Sequence, residues 1–236
     1  MLLHGHLEKG ADKNPNFPFS EFEGNSLSYQ EANLLSNQLA NKLVSEGLEV
    51  GDRFAFLAKN CTEMAIMYYA ASKVGVVPVP LNYRLADQEW AYIINDSEAK
   101  LIIVKGNEYS DRINQISSEL KNVKKYISIS LDNSIEKFQD FYDWLSDSSN
   151  EKPTLKIHEN DDVYQMYTSG TTGHPKGAVL LQRNVAANIR QYLNSLTLPR
   201  PSRTLLVAPM YHAAAMINMC GCIAIGGTIV IQEDFI

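Results

Sequence analysis

The sequence predicts an α/β fold of mainly parallel sheets flanked by helices, and three observations predict it. Helical and strand periodicities alternate along most of the 236 residues. Hydrophobic residues make up 45% and charged residues 20%, which is enough apolar content for a sizeable core. An apolar strand then delivers the chain directly to a short loop of hydroxyls, glycines and one lysine.

Taken in order, Leu34, Leu35, Leu39 and Leu43 recur at helical spacing between Ser28 and Glu46, and Gly47 stands at a C-terminal cap position. Arg53–Ala58 reads as a short buried strand, Thr62–Val74 as an apolar helix ended by Gly75, and Val76–Pro80 as the next strand. The alternation continues with a helix over Gln88–Asn95, a strand over Leu101–Val104, a helix over Asp111–Leu120 and a strand over Tyr126–Ile129. This argues for a doubly wound, largely parallel sheet. Periodicity weakens from Ser134 to Lys152, and Ser146–Pro153 is polar and rich in breakers. A first α/β subdomain is therefore expected over residues 1–153, and a second begins over 154–236. In the second, Val163–Thr168, Ala178–Leu181 and Thr204–Ala208 read as strands and Asn184–Ser195 as a helix. Ala213–Ile231 carries no charge and approaches the length of a membrane span. Gly226-Gly227 divides it, however, so it reads as a buried helix, a turn and the β-branched strand Thr228–Ile231. No transmembrane segment is expected.

With 21 basic and 27 acidic residues the formal charge is −6, and no basic block offers nucleic acid a footprint. Cys61, Cys220 and Cys222 are odd in number, fit no zinc spacing and have apolar neighbours, so they read as buried reduced thiols. The first residues, Met1–Lys9, have too short an apolar run for a signal peptide. A cytoplasmic setting is expected. Peripheral contact with a membrane stays open, and the oligomeric state has no signature.

The segment Tyr167-Thr168-Ser169-Gly170-Thr171-Thr172-Gly173-His174-Pro175-Lys176-Gly177 is equipped to hold a polyphosphate. Its glycines let the backbone approach a ligand closely, its hydroxyls can donate to phosphoryl oxygens, and Lys176 adds a point charge on a flexible stem. The pattern G-x-x-x-x-G-K-[ST] fails, because Pro175 precedes the lysine and Gly177 follows it. A P-loop NTPase of the ordinary kind is therefore a poor reading.

Over all eleven positions the segment resembles the signature loop of the adenylate-forming superfamily, which includes acyl-CoA synthetases, luciferases and peptide-synthetase adenylation domains. Pro209-Met210-Tyr211-His212 resembles the family's second signature, beside which a carboxylate docks. Weaker likenesses lie upstream in Leu27–Glu31, Gly51-Asp52-Arg53 and Lys73–Asn82, in the family's order. The resemblance implies the N-terminal part of the family's large domain. It also implies ATP-dependent activation of a carboxylic acid, with a fatty acid first in view, as an acyl-adenylate, followed by transfer to coenzyme A. ATP would be bound by Thr168, Ser169, Gly170, Thr171, Thr172, Gly173 and Lys176. Lys176 would serve catalysis and Thr168 would help hold Mg2+, while His212, Ala213 and Met216 would border the acyl substrate. Met216 is equally readable as a core residue. Two departures stand out: three alanines follow His212 where many relatives have a glycine nearby, and Gln182 stands where many have histidine. The resemblance offers no counterpart here to later family elements, so an N-terminal fragment with an unpaired sheet edge is expected, inactive in adenylation by itself. The alternatives are an adenylating domain that loads a carrier protein and a non-catalytic nucleotide-binding fragment.

Overall fold

The structure, a computed structural model, describes residues 1–129, 135, 137–168, 173–196, 199 and 202–234. The chain opens with helix α1 (Leu3–Lys13), whose Leu3, Leu7 and Gly10 are buried, and an antiparallel hairpin of β1 (Pro18–Phe22) and β2 (Asn25–Ser28). Helix α2 (Tyr29–Ser45) follows at once, because Ser28 and Glu31 form a reciprocal capping box. Then come β3 (Arg53–Leu57), α3 (Thr62–Val74), β4 (Val77–Leu81), α4 (Asp87–Asp96), β5 (Leu101–Lys105), α5 (Asn107–Ile116), β6 (Lys125–Ile129), β7 (Phe138–Asp140) and α6 (Phe141–Leu145). The last part carries β8 (Asp162–Thr168), β9 (Lys176–Leu181), α7 (Gln182–Ser195), β10 (Arg203–Leu206), α8 (Ala213–Ala224) and β11 (Thr228–Ile231).

The predicted alternation is realised in a five-stranded sheet of order β4-β3-β5-β6-β7 in which every pair is parallel. β3, β4 and β5 are nearly continuous hydrophobic runs, as strands covered on both faces must be. Pro78 and Pro80 lack the N–H that a central strand donates, and β4 accordingly takes the edge of this sheet. The neighbours of β3 are β4 on one side and β5 on the other, so strand order reverses at β3.

Not all strands join one doubly wound sheet. β10, β11, β1 and β2 form a second sheet, with β1 parallel to β11 and antiparallel to β2, and among the described residues β8 pairs antiparallel with β9 alone. The hairpin β1/β2, helix α1, β7 and α6 were not foreseen. Their apolar patterns are short or interrupted, and their stability comes from partners distant in sequence. The predicted bounds of Thr62–Val74 and Thr228–Ile231 hold at both ends, and the others move by at most four residues, most at α5, which starts at Asn107 rather than Asp111. The helix, turn and strand predicted for Ala213–Ile231 are all present, and Cys61, Cys220 and Cys222 are buried free thiols. Among the described residues no helix is long and apolar enough to cross a membrane.

Candidate adenylate-forming site

The hairpin of β8 and β9 builds the base of the glycine-rich loop. Thr168, the last residue of β8, is the register partner of Lys176, the first of β9, so the two side chains that sequence reading singled out stand across from one another. Both are exposed. Gly173 has φ +110°, a conformation that a side chain would strain. At Gly177 an added Cβ would lie 2.3 Å from Gln165 Nε2 and 2.9 Å from Tyr167 Cζ, so the Gln165 and Tyr167 side chains fill the space that a side chain here would need. Ser169, Gly170, Thr171 and Thr172 lie outside the described residues.

A chain of polar contacts runs through β8 beneath the loop. Arg53 Nε donates to Gln165 Oε1 at 3.3 Å, Gln165 Nε2 donates to the Tyr167 hydroxyl at 3.0 Å, and that hydroxyl donates to Asp96 Oδ2 at 2.6 Å. Burial, with the Asp96 hydrogen bond second, pushes the Tyr167 phenol well above its ordinary range, so it remains a donor at neutral pH. On the other arm of the loop His174 stacks on Tyr92 of α4, with ring centroids 4.7 Å apart and planes 19° from parallel.

The second motif reaches the same place from another sheet. After β10 the chain turns through Pro209, and His212, whose N–H donates to Pro209 O at 2.9 Å, becomes the N-cap of α8. Tyr211 is buried edge-on against Tyr83, centroids 5.5 Å apart, which leaves His212 exposed at the helix start. This segment is positioned by Asn60, 2% exposed, at the carboxyl end of β3. Its Nδ2 donates to Ala208 O at 3.1 Å and Gln232 O at 3.0 Å, and its Oδ1 accepts from Met210 N at 2.7 Å. Sequence reading missed Asn60, because an asparagine after a strand looks like an ordinary turn residue.

These parts enclose a cleft of about 230 Å3. Thr168, Gly173 and Pro175 of the loop and Tyr211 and His212 of the second motif line it together, with Asn82 adding a polar group and Pro80, Leu85 and Ile93 an apolar side. Asn82 is tied down through its carbonyl, which accepts from Trp90 Nε1 at 2.8 Å. Lys176, Ala213 and Met216 are not in the lining. Met216 is buried at 2% exposure with its Sδ 3.8 Å from Cys220 Sγ, so its side chain packs in the core. Gln182 is buried as well. It accepts from Leu3 N at 3.1 Å and donates to Ser72 Oγ at 2.9 Å, which ties α7 to α1 and α3. Among the described residues no group of three or more His, Cys, Asp or Glu could hold a metal ion. The exposed Thr168 hydroxyl fits a lesser part, as one ligand of an ion carried in by phosphates.

Comparison with known proteins gives a consistent result. The chain matches the family described as AMP-binding enzyme over residues 7–236. It is 31% identical to the long-chain-fatty-acid–CoA ligase FadD13 of Mycobacterium tuberculosis over 211 residues, which is 89% of this chain and 40% of that protein. It is 30% identical to a feruloyl-CoA synthase of an Amycolatopsis species over 213 residues, 90% of this chain and 40% of that protein. Among solved structures, the inhibitor-bound N-terminal domain of FACL13 from Mycobacterium tuberculosis superimposes with a TM-score of 0.89 at 28% identity, covering 100% of this chain and 58% of that one. The chain thus spans 40% of the length of these curated relatives.

Proposed function

This chain belongs to the AMP-binding enzyme family, and from that premise we propose that it provides the phosphate-binding and acyl-binding walls of an ATP-dependent acid–thiol ligase. The observation that carries the reading is the cleft in which the glycine-rich loop and the His212 segment, from different sheets, meet. Loop donors and Lys176 attract the β- and γ-phosphoryl oxygens of ATP, while the carboxylate of the second substrate lies beside His212. The carboxylate oxygen attacks the α-phosphorus, and the bond from that phosphorus to the bridging oxygen breaks, so pyrophosphate leaves with the negative charge. Lys176 stabilises the developing charge by electrostatics and transfers no proton. Mg2+, with the Thr168 hydroxyl among its ligands, would neutralise phosphate charge.

The acyl group then passes to a thiol, with coenzyme A as the acceptor named for the relatives above. Those relatives take a long-chain fatty acid in one case and ferulate in another. Together with the apolar side formed by Pro80, Leu85 and Ile93, this supports an apolar carboxylate, fatty acyl first. Ala213 follows His212 at the start of α8 but lies outside the cleft lining, and Met216 packs in the core, so His212 is the residue of this segment that meets the acyl substrate. The reduced thiols favour a cytoplasmic setting.

Lys176→Ala tests the reading. In a complete ligase that contains this chain, it should slow carboxylate-dependent exchange of pyrophosphate into ATP by about 100- to 1000-fold and leave thiol transfer from a preformed adenylate nearly unchanged. Equal losses in both half-reactions would assign the lysine a structural role instead.

A further inference from the structure

One face of α4 looks onto the loop. Glu89, Tyr92, Ile93 and Asp96 are spaced three and four apart and so share that face. Glu89 and Ile93 line the cleft, whereas Tyr92 and Asp96 hold the arms of the loop. Tyr92 stacks on His174 on the far arm, and Asp96 accepts the 2.6 Å hydrogen bond from Tyr167 on the near arm. Both arms are thus gripped by one helix, within four residues of each other along it.

The helix is itself firmly mounted. Trp90, fully buried, donates to Asn82 O, and the Arg112 guanidinium lies 4.0 Å over the Trp90 ring while its Nε donates to Asp87 Oδ1 at 2.7 Å. At the start of α4 the Glu89 carboxylate accepts from Ala86 N at 2.9 Å. A contact made from such a support is reproducible, which a contact from another loop would not be.

We propose that the Tyr92–Asp96 face of α4 is a positioning ledge that fixes the two arms of the glycine-rich loop and thereby sets the affinity of the chain for ATP. The proposal rests on the phosphate-binding reading of the loop. Ordering a loop on binding costs conformational entropy that is subtracted from affinity, and arms already held leave less to order. Tyr167 and His174 belong to the glycine-rich segment, whereas Tyr92 and Asp96 lie in no sequence motif. Tyr92 and Asp96 need no contact with the nucleotide to act.

The test compares ATP binding by wild type, Tyr92→Leu, Asp96→Ala and Tyr92→Phe, with thermal midpoints and the His174 ring-proton resonances followed by NMR. Asp96 lies in the last turn of α4, where an acid opposes the helix dipole, so its removal does not weaken the helix. Tyr92→Leu and Asp96→Ala together should weaken ATP binding about tenfold with the midpoint unchanged. Tyr92→Phe retains the stack and should bind as wild type does, and only Tyr92→Leu should move the His174 resonances away from their ring-shifted positions. Wild-type affinity in the paired variant overturns the ledge alone. A wild-type chain that binds no ATP overturns the phosphate reading, and the ledge's part in affinity with it.

Discussion

Asn60 joins three stretches of chain through one buried amide. It takes carbonyls from Ala208 and Gln232 and the N–H of Met210, more than 140 residues away in each case. Asn60→Ala leaves these groups buried and unpaired, so a loss of about 3 kcal/mol is expected from urea unfolding. Asn60→Asp should not restore it, because a carboxylate cannot donate to the two carbonyls. The residues legible in the sequence were those whose chemistry is local: Thr168, Gly173 and Lys176 belong to one short segment, and His212 follows a proline and a tyrosine. Asn60, Tyr92 and Asp96 were illegible because nothing near them in sequence marks their partners. Met216 shows the converse. Its position suggested the acyl pocket or the core, and packing against Cys220 puts its side chain in the core.

Elements whose stability is local were read well. Helix α2 begins at Tyr29 because Ser28 Oγ accepts from Glu31 N at 3.2 Å and Glu31 Oε2 accepts from Ser28 N at 2.8 Å. Ser28→Ala should cost about 1 kcal/mol, measurable as a lower urea midpoint with an unchanged slope. Gly75 ends α3 in the left-handed conformation, as its place in the sequence led one to expect. The hairpin β1/β2 escaped notice because it is held from outside. β1 is paired along its other edge with β11, and the Tyr29 hydroxyl after β2 donates to Gly227 O at 2.6 Å. Among the described residues β9 pairs only with β8, in an antiparallel hairpin, and leaves Val179 40% exposed.

Across the molecule, buried titratable groups set the pH range of the fold. Desolvation, reinforced by the N-terminal charge, Lys9 and His4, depresses His6 to about 4, and burial lowers His4 too. The folded chain therefore takes up these protons less readily than the unfolded chain, whose imidazoles protonate from about pH 6.5, so stability is lost as pH falls from there, in the case of His6 toward about 4. His6→Gln should flatten this loss in thermal midpoints recorded between pH 4 and 8. On the alkaline side burial raises Cys61 and brings Cys220 to about 12, so unfolded thiols ionise first and stability falls above about pH 9. Lys73, which desolvation lowers to about 8, acts in the opposite sense. From the order of residues alone one could obtain the α/β class, the alternating parallel sheet, the glycine-rich loop and its family, since periodicity and motif chemistry are properties of neighbours. Tertiary structure alone decided that the strands of the described residues divide among three sheets, that β1 pairs with β11 across the polar linker, and that the loop and His212 share a cleft braced by α4 and Asn60. Strand pairing and side-chain contact depend on which distant surfaces meet when the core closes, and a linear pattern of polarity carries no record of the partner.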